Sequence, residues 1–216
     1  MSFGFDNTNS GSDSVRHLRT PGLHTNAKFV GLTYDATEQY EYFDIEIETA
    51  DGRHFRERTF GPDPNKVFPK AIWKNGKQEG TETNEQAFDR VKKDINTKLY
   101  HLALCFATKD ELQESVKGIS SLKEFVGAVN KVIGNPENRA INILTIWKNS
   151  DVRQKSNLIL AERTKWCEPF VEGKEATIKL SKWQIENQLV EKYPYNAAGT
   201  SDQVLVSDNA ADDLPF

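Results

Sequence analysis

The stretch Glu38-Gln39-Tyr40-Glu41-Tyr42-Phe43-Asp44-Ile45-Glu46-Ile47-Glu48-Thr49-Ala50-Asp51-Gly52-Arg53-His54-Phe55-Arg56-Glu57-Arg58-Thr59-Phe60 decides the fold. In an extended chain successive side chains point to opposite faces. Phe43, Ile45 and Ile47 therefore share one face, and Tyr40, Tyr42, Asp44 and Glu46 share the other. That alternation predicts a strand with a single buried face. Ala50-Asp51-Gly52-Arg53 supplies an Asp-Gly pair, a favoured two-residue hairpin turn because Gly accepts positive φ. Arg53 to Phe60 returns as the partner strand. Upstream, Lys28 to Tyr34 is a short β-branched and aromatic run, so three strands follow one another as a meander.

Downstream the period changes. Thr83 with Gln86 forms a capping box, and Phe88, Val91, Ile95, Leu99, Leu102 and Phe106 recur at helical spacing. Thr108 and Glu111 cap a second helix, and Ser121 and Glu124 a third that ends at Gly134. The chain then returns to β at Ala140 to Lys148 and Ser156 to Glu162, with Trp166 to Val171 as a continuation. Ser181 to Lys192 reads as a final helix stopped before Pro194. Residues 61–82 form a long irregular connection carrying Trp73 with Lys66, Lys70, Lys74 and Lys77, and such a segment in a domain is functional or disordered.

Three strands, helices, then two strands is the element order of an OB-fold, a five-stranded Greek-key barrel that binds oligonucleotides. The expected architecture is mainly β, with a large helical insertion (about 83–134) between strands 3 and 4. The domain spans 26–195, after a flexible arm at 1–25 and before a disordered acidic tail at 196–216. An α+β sandwich with an inserted helical bundle gives a similar string.

Charge is divided along the chain. The formal net charge is -4, but residues 1–13 and 196–216 hold Asp6, Asp13, Asp202, Asp208, Asp212 and Asp213 and no base. All 28 Lys and Arg thus lie in 14–195, against 26 of the 32 acids. The body is mildly basic and the tail wholly acidic, and phosphate attraction depends on the local field. Cys105 and Cys167 are too few for a disulfide framework or a metal cluster, and Cys105 reads as a buried hydrophobe. Met1-Ser2-Phe3-Gly4-Phe5-Asp6 shows neither a basic start nor an apolar stretch, so a cytoplasmic protein without a membrane association is expected. The four histidines, at 17, 24, 54 and 101, have no metal-ligand spacing, and no phosphate loop or nucleophile elbow occurs. Neither catalysis nor a cofactor is expected.

A single-strand binder needs cations along a groove and flat side chains for the bases. Tyr40 and Tyr42 lie opposite the core side of their strand, and Arg56 and Arg58 share a parity on the next. Arg56 and Arg58 can equally pair with Glu46 and Glu48. The connection offers Lys70, Trp73, Lys74 and Lys77. A second group, Trp147, Lys148, Arg153, Lys155, Arg163, Lys165 and Trp166, interleaves bases and aromatics around the last hairpin. Trp147 is in phase with Ile141 and Ile143 and reads equally as core, which makes Trp166 the better stacking candidate.

The chain ends in Asp212-Asp213-Leu214-Pro215-Phe216. The two aspartates and the terminal carboxylate form an anionic cluster, Leu214 and Phe216 supply apolar anchors, and Pro215 restricts the backbone. Such a tip fits a small apolar pocket rimmed by Lys or Arg. These residues resemble the C-terminal tip of bacterial single-stranded DNA-binding proteins, and with its size and insert the chain looks more like the bacteriophage type. The resemblance implies a protein that binds and protects single-stranded DNA and recruits replication and recombination proteins, in the host cytoplasm if phage-encoded. It implies no DNA-contacting residue. A recombination mediator or single-strand annealing protein is the alternative, and the sequence does not specify oligomeric state.

Overall fold

The computed structural model describes residues 16–74, 76–135, 139–148, 158–161 and 164–189. Its centre is a single long strand, β1 (Gly22–Ala36), which serves two halves of a sheet. Its first half pairs with β6 (Ala140–Trp147), from Gly22↔Thr145 to Lys28↔Ala140, and its second half pairs with β2 (Glu41–Glu48), from Lys28↔Glu48 to Ala36↔Glu41. The register slips between His24 and Ala27 and between Phe29 and Gly31. Bulges of this kind bend a strand and increase its twist, which lets β1 turn from one half of the sheet into the other. Asn26 sits at the first slip with φ 54, a conformation Asn tolerates better than most residues.

β1 begins earlier than the sequence suggests. Residues 16–25 are not a loose arm: Leu18 N donates to His54 O at 2.8 Å and His54 N to Arg16 O at 2.7 Å, so this segment is tied to the start of β3. The hairpin of β2 with β3 (His54–Phe60) forms where the alternation puts it. Its turn is longer than two residues. Thr49 N donates to Arg53 O and Gly52 takes φ 75, so a three-residue loop with a left-handed glycine closes the hairpin.

The connection after β3 is not irregular. It folds into a two-stranded hairpin, β4 (Ala71–Lys74) with β5 (Lys77–Thr81), which among the described residues pairs with no other strand. Three helices follow: α1 (Asn84–Ala103), α2 (Lys109–Ser115) and α3 (Leu122–Ile133). Capping boxes at Thr83/Gln86 and Thr108/Glu111 start the first two, Ser121 caps the third, and Gly134 ends it at φ 64. β6 then carries β7 (Leu158–Leu160) along Thr145–Trp147 and β8 (Cys167–Pro169) along Ile141–Ile143. One turn of helix, α4 (Lys182–Gln184), widens into a π turn over Ile185–Leu189.

The antiparallel sheet runs β3-β2-β1-β6-β7, with β8 on β6. It curls until its two ends meet, because β7 lies against β3. Among the described residues no ladder hydrogen bonds join these two strands, so the sheet is not a closed barrel. The seam is bridged by a side chain instead: Leu160 N donates to the buried Glu57 carboxylate at 2.7 Å. Lys98 of α1 is buried against that carboxylate and also donates to Thr59 Oγ1 at 3.0 Å. The architecture is therefore a curled, mainly antiparallel sheet with helices inserted after the meander.

The core is built from the inward faces of β1, β2 and β6 (Phe29, Leu32, Phe43, Ile45, Ile47, Ile141, Ile143) against Leu99, Leu102, Val126 and Val129 of α1 and α3. Burying such side chains stabilises the fold by about 1.5–3 kcal/mol each, before the entropy of ordering is subtracted. No described helix is long and apolar enough to cross a membrane.

Candidate nucleic-acid interface

The outward face of the β2–β3 hairpin is organised by cross-strand pairs. Tyr42 lies opposite Phe60, Asp44 opposite Arg58, and Glu46 opposite Arg56. Paired side chains on one face of an antiparallel ladder touch, and here they form two neighbouring groups.

The first group is aromatic. The Phe60 ring packs edge-on to Tyr40, 5.6 Å between centroids, and to Tyr42 at 6.0 Å. Phe60 is 52% exposed and Tyr40 44%, an uncommon state for two rings in contact with each other. Cations flank them. Arg58 stands 3.9 Å over the Tyr42 ring and Lys66 Nζ 3.9 Å over Tyr40. Lys66 is steered there by a 2.9 Å bond to Gln39 O, and Tyr42 by its hydroxyl donating to Asp35 at 2.6 Å. That bond raises the Tyr42 phenol and lowers the Asp35 carboxyl. Gly61 fixes the exit of β3: a Cβ there would come within 2.9 Å of Leu122 of α3.

The second group is ionic. Asp44 is only 2% exposed, yet it lies on the outward face beneath two arginines. Arg56 Nη2 donates to it at 2.5 Å, and Arg58 grips it through Nε and Nη2, both at 3.0 Å. Burial alone would raise the Asp44 carboxyl, but the bonds from Arg58 and Arg56 outweigh it and hold the group below its ordinary range. Arg56 also reaches Glu46 at 3.4 Å. Both arginines thus pair across the hairpin as the sequence allowed, with Asp44 as the main acceptor. Their charge is largely neutralised locally, so the rings of this face have more to offer a ligand than its cations.

The β4–β5 hairpin is exposed along its described length, apart from a half-covered Gly80. Trp73 is 62% exposed, Phe68 at its base 82%, and Lys70, Lys74 and Lys77 surround them. Lys74 pairs with Glu79 at 3.1 Å. The root of the arm is anchored on α1: Arg90 donates to Glu82 at 2.9 Å and to Phe68 O at 3.0 Å, and Lys70 N donates to Glu82 at 2.9 Å. Those bonds hold the Glu82 carboxyl low.

The second predicted group does not assemble around Trp166. That side chain is fully buried, and its Nε1 donates to Lys98 O at 3.2 Å. Trp166 precedes β8, which packs on α1, so its ring fills the core and cannot stack on a base. Trp147 is half-buried against the core at the end of β6, while Lys148 and Lys165 are exposed. Arg153, Lys155 and Arg163 lie outside the described residues, as do Asp212, Asp213, Leu214, Pro215 and Phe216.

Two members of the aromatic face were not singled out from the sequence as site residues, Phe60 and Lys66. Phe60 shares the outward parity of Arg56 and Arg58, which was the available signal. Among the described residues no group of three or more His, Cys, Asp or Glu could hold a metal ion. In comparisons with known proteins, no family model, curated protein or solved structure matches the chain.

Proposed function

We propose that this protein coats single-stranded DNA, using an OB-type barrel whose β2–β3 face and flanking loops receive the strand. The observation that carries the reading is the exposed Tyr40–Phe60 pair backed by the buried Tyr42, with Lys66 and Arg58 over the two tyrosine rings. Bases stack on such rings with about 1–3 kcal/mol each and without regard to sequence, which suits a coat better than a reader. The strand order supports an OB-type barrel: β1 shared between the meander and β6, helices after the third meander strand, and β7 turned against β3. In that fold the strands 2–3 face and the loop joining strands 1 and 2 bind oligonucleotides, and Tyr40 lies in that loop. The arm with Trp73 and three lysines supplies phosphate contacts beyond those of Arg56 and Arg58, whose charge is partly offset by Asp44.

The acidic tip, Asp212–Phe216, then serves as the handle for replication and recombination proteins. A tail with no base is repelled from phosphate and stays available to partners carrying a basic, apolar pocket. Titration with oligo-dT, duplex DNA and RNA, followed by tryptophan fluorescence, tests the reading. Quenching by oligo-dT that weakens with salt, and little response to duplex, is expected. Equal responses to duplex, or none to oligo-dT, would overturn it. Deleting 212–216 should abolish partner capture and leave oligo-dT affinity unchanged or higher.

A further inference from the structure

The outward face of the β2–β3 hairpin does not end at its ionic group. Beyond Glu46 and Arg56 the next cross-strand pair is Glu48 with His54, and the row continues on both sides. Lys28 of β1 pairs with Glu48, and His17 forms a parallel bridge with His54. Partners directly across a ladder point to the same face, so Lys28, Glu48, His54 and His17 make one transverse row over four neighbouring segments. Burial agrees: Lys28 and His17 are exposed, while their chain neighbours Ala27, Phe29 and Leu18 are buried. We propose that this row is a second subsite for single-stranded DNA, taking phosphates of the strand whose bases lie on Tyr40 and Phe60.

The chemistry of the row suits a phosphodiester. Among the described residues the side chains of Lys28, His17 and His54 have no hydrogen bond or ion pair. In this they differ from Arg56 and Arg58, which grip Asp44, and from Lys66, which reaches Asp63 at 3.5 Å. An ammonium carries three N–H donors, and an imidazole donates at least one in either tautomer. Phosphate oxygens only accept, so donors gathered on one surface match the backbone of a strand rather than the edges of its bases. Arg16, whose carbonyl holds His54 N, is exposed and adds a second cation beside the row. The one acid of the row, Glu48, is half-buried between Lys28 and His54.

Its position suits the same strand. His54 shares the parity of Arg56, Arg58 and Phe60 on β3, and six residue steps separate it from Phe60. That is about 20 Å of extended chain. Phosphates at stacked spacing lie about 3.4 Å apart, so about six nucleotides reach from the rings to the row. A strand laid along β3 then meets the aromatic pair first, the two arginines next and the row last. The segment that precedes β1 thereby becomes part of the site, because it brings His17 to the edge of β3. The inference rests on the reading of the β2–β3 hairpin as the DNA face and extends that face to its far end.

The test is fluorescence anisotropy with end-labelled oligo-dT of increasing length, on wild type, Lys28→Gln and the double variant His17→Ala/His54→Ala. Wild type should gain affinity as the oligonucleotide passes about six nucleotides. Both variants should match wild type within about twofold on shorter strands and bind longer ones at least about fivefold more weakly. Lys28→Gln should also lower the slope of log affinity against log salt by about 0.7 on long strands alone. The ties between Arg16, Leu18 and His54 are backbone bonds, so melts should stay unchanged; if the double variant melts lower, Lys28→Gln decides. Variants that follow wild type at every length overturn the subsite and leave the DNA face standing. A loss by the same factor at every length also overturns it, since the row would then not lie beyond the rings. Failure of wild type to bind oligo-dT at any length sinks the DNA face itself, and the subsite with it.

Discussion

Replacing Phe60 with Ala removes the central ring of the aromatic face, and its two consequences separate cleanly. Phe60 is 52% exposed, so only about half of its burial contributes to the fold. Full burial of a Phe stabilises by about 1.5–3 kcal/mol, and each ring pair by about 0.5–1.5 kcal/mol, part of which is lost to solvent here. The cost to folding is then about 1–2 kcal/mol, small against the roughly 5–15 kcal/mol of an ordinary domain. The cost to DNA binding is larger in proportion. One stacked base is worth about 1–3 kcal/mol, which is about a 5- to 150-fold rise in Kd. Phe60→Leu keeps apolar area without a π face and should recover stability while leaving most of the affinity loss. Because no phosphate contact is removed, the slope of log affinity against log salt should not change. The assay is oligo-dT titration by tryptophan fluorescence at several salt concentrations, beside a thermal melt. A Phe60→Ala protein with an affinity within twofold of wild type would refute the assignment of this face, whatever its melt.

Asp44→Asn tests the ionic group from the opposite direction. It should destabilise the fold by about 1–3 kcal/mol through weaker bonds to Arg56 and Arg58, yet tighten oligo-dT binding and steepen its salt slope as those cations become available. The folded Asp44 carboxyl titrates below its ordinary value of 3.8, so its stabilisation is present above that pH and is lost as pH falls through the lower folded value. Melting curves of wild type and Asp44→Asn should therefore converge only in strong acid. Glu57→Gln and Lys98→Met each leave a buried partner uncompensated and should cost about 3–5 kcal/mol in denaturant unfolding. The double variant should cost less than the sum of the two. Trp166→Ala should lower stability by about 3–5 kcal/mol, whereas Trp73→Ala should leave the melt unchanged and weaken oligo-dT quenching. Equal melts for those two variants would contradict their placement.

The elements with strong periodicity could be read directly from the sequence. Phe43, Ile45 and Ile47 alternate over a full strand, and Thr83 and Thr108 carry complete capping boxes, so local chemistry alone defines those starts. The β4–β5 hairpin escaped because it buries so little: strands exposed nearly throughout have no alternation to detect. Trp166 was misplaced for the converse reason. Lys165 beside it suggests a basic surface, and only the pairing of β8 with β6 reveals that the next side chain turns inward. Glu57 and Lys98 show the same limit. Each occupies an inward position by its own period, Glu57 with Phe55 and Lys98 near Ile95 and Leu99, but a charge there makes sense only once its partner is known. The partner is 41 residues away. The rings of the candidate site were legible by parity, whereas the shared grip of Arg56 and Arg58 on one carboxylate depended on Asp44 being buried.

The side-chain bridge at the β3–β7 seam also sets a schedule for synthesis. Glu57 and Leu160 are 103 residues apart, so the bond that joins the sheet's ends cannot form until the second has left the ribosome. At roughly 5–20 residues per second, about 5–20 s separate the two residues during translation. Throughout that interval the residues that flank β3 at the seam are not yet available. Lys98 emerges well before Leu160 and can neutralise the waiting carboxylate as soon as α1 forms. The inward charge of β3 therefore has a cation from the helical insert that is synthesised before the strand that closes over it.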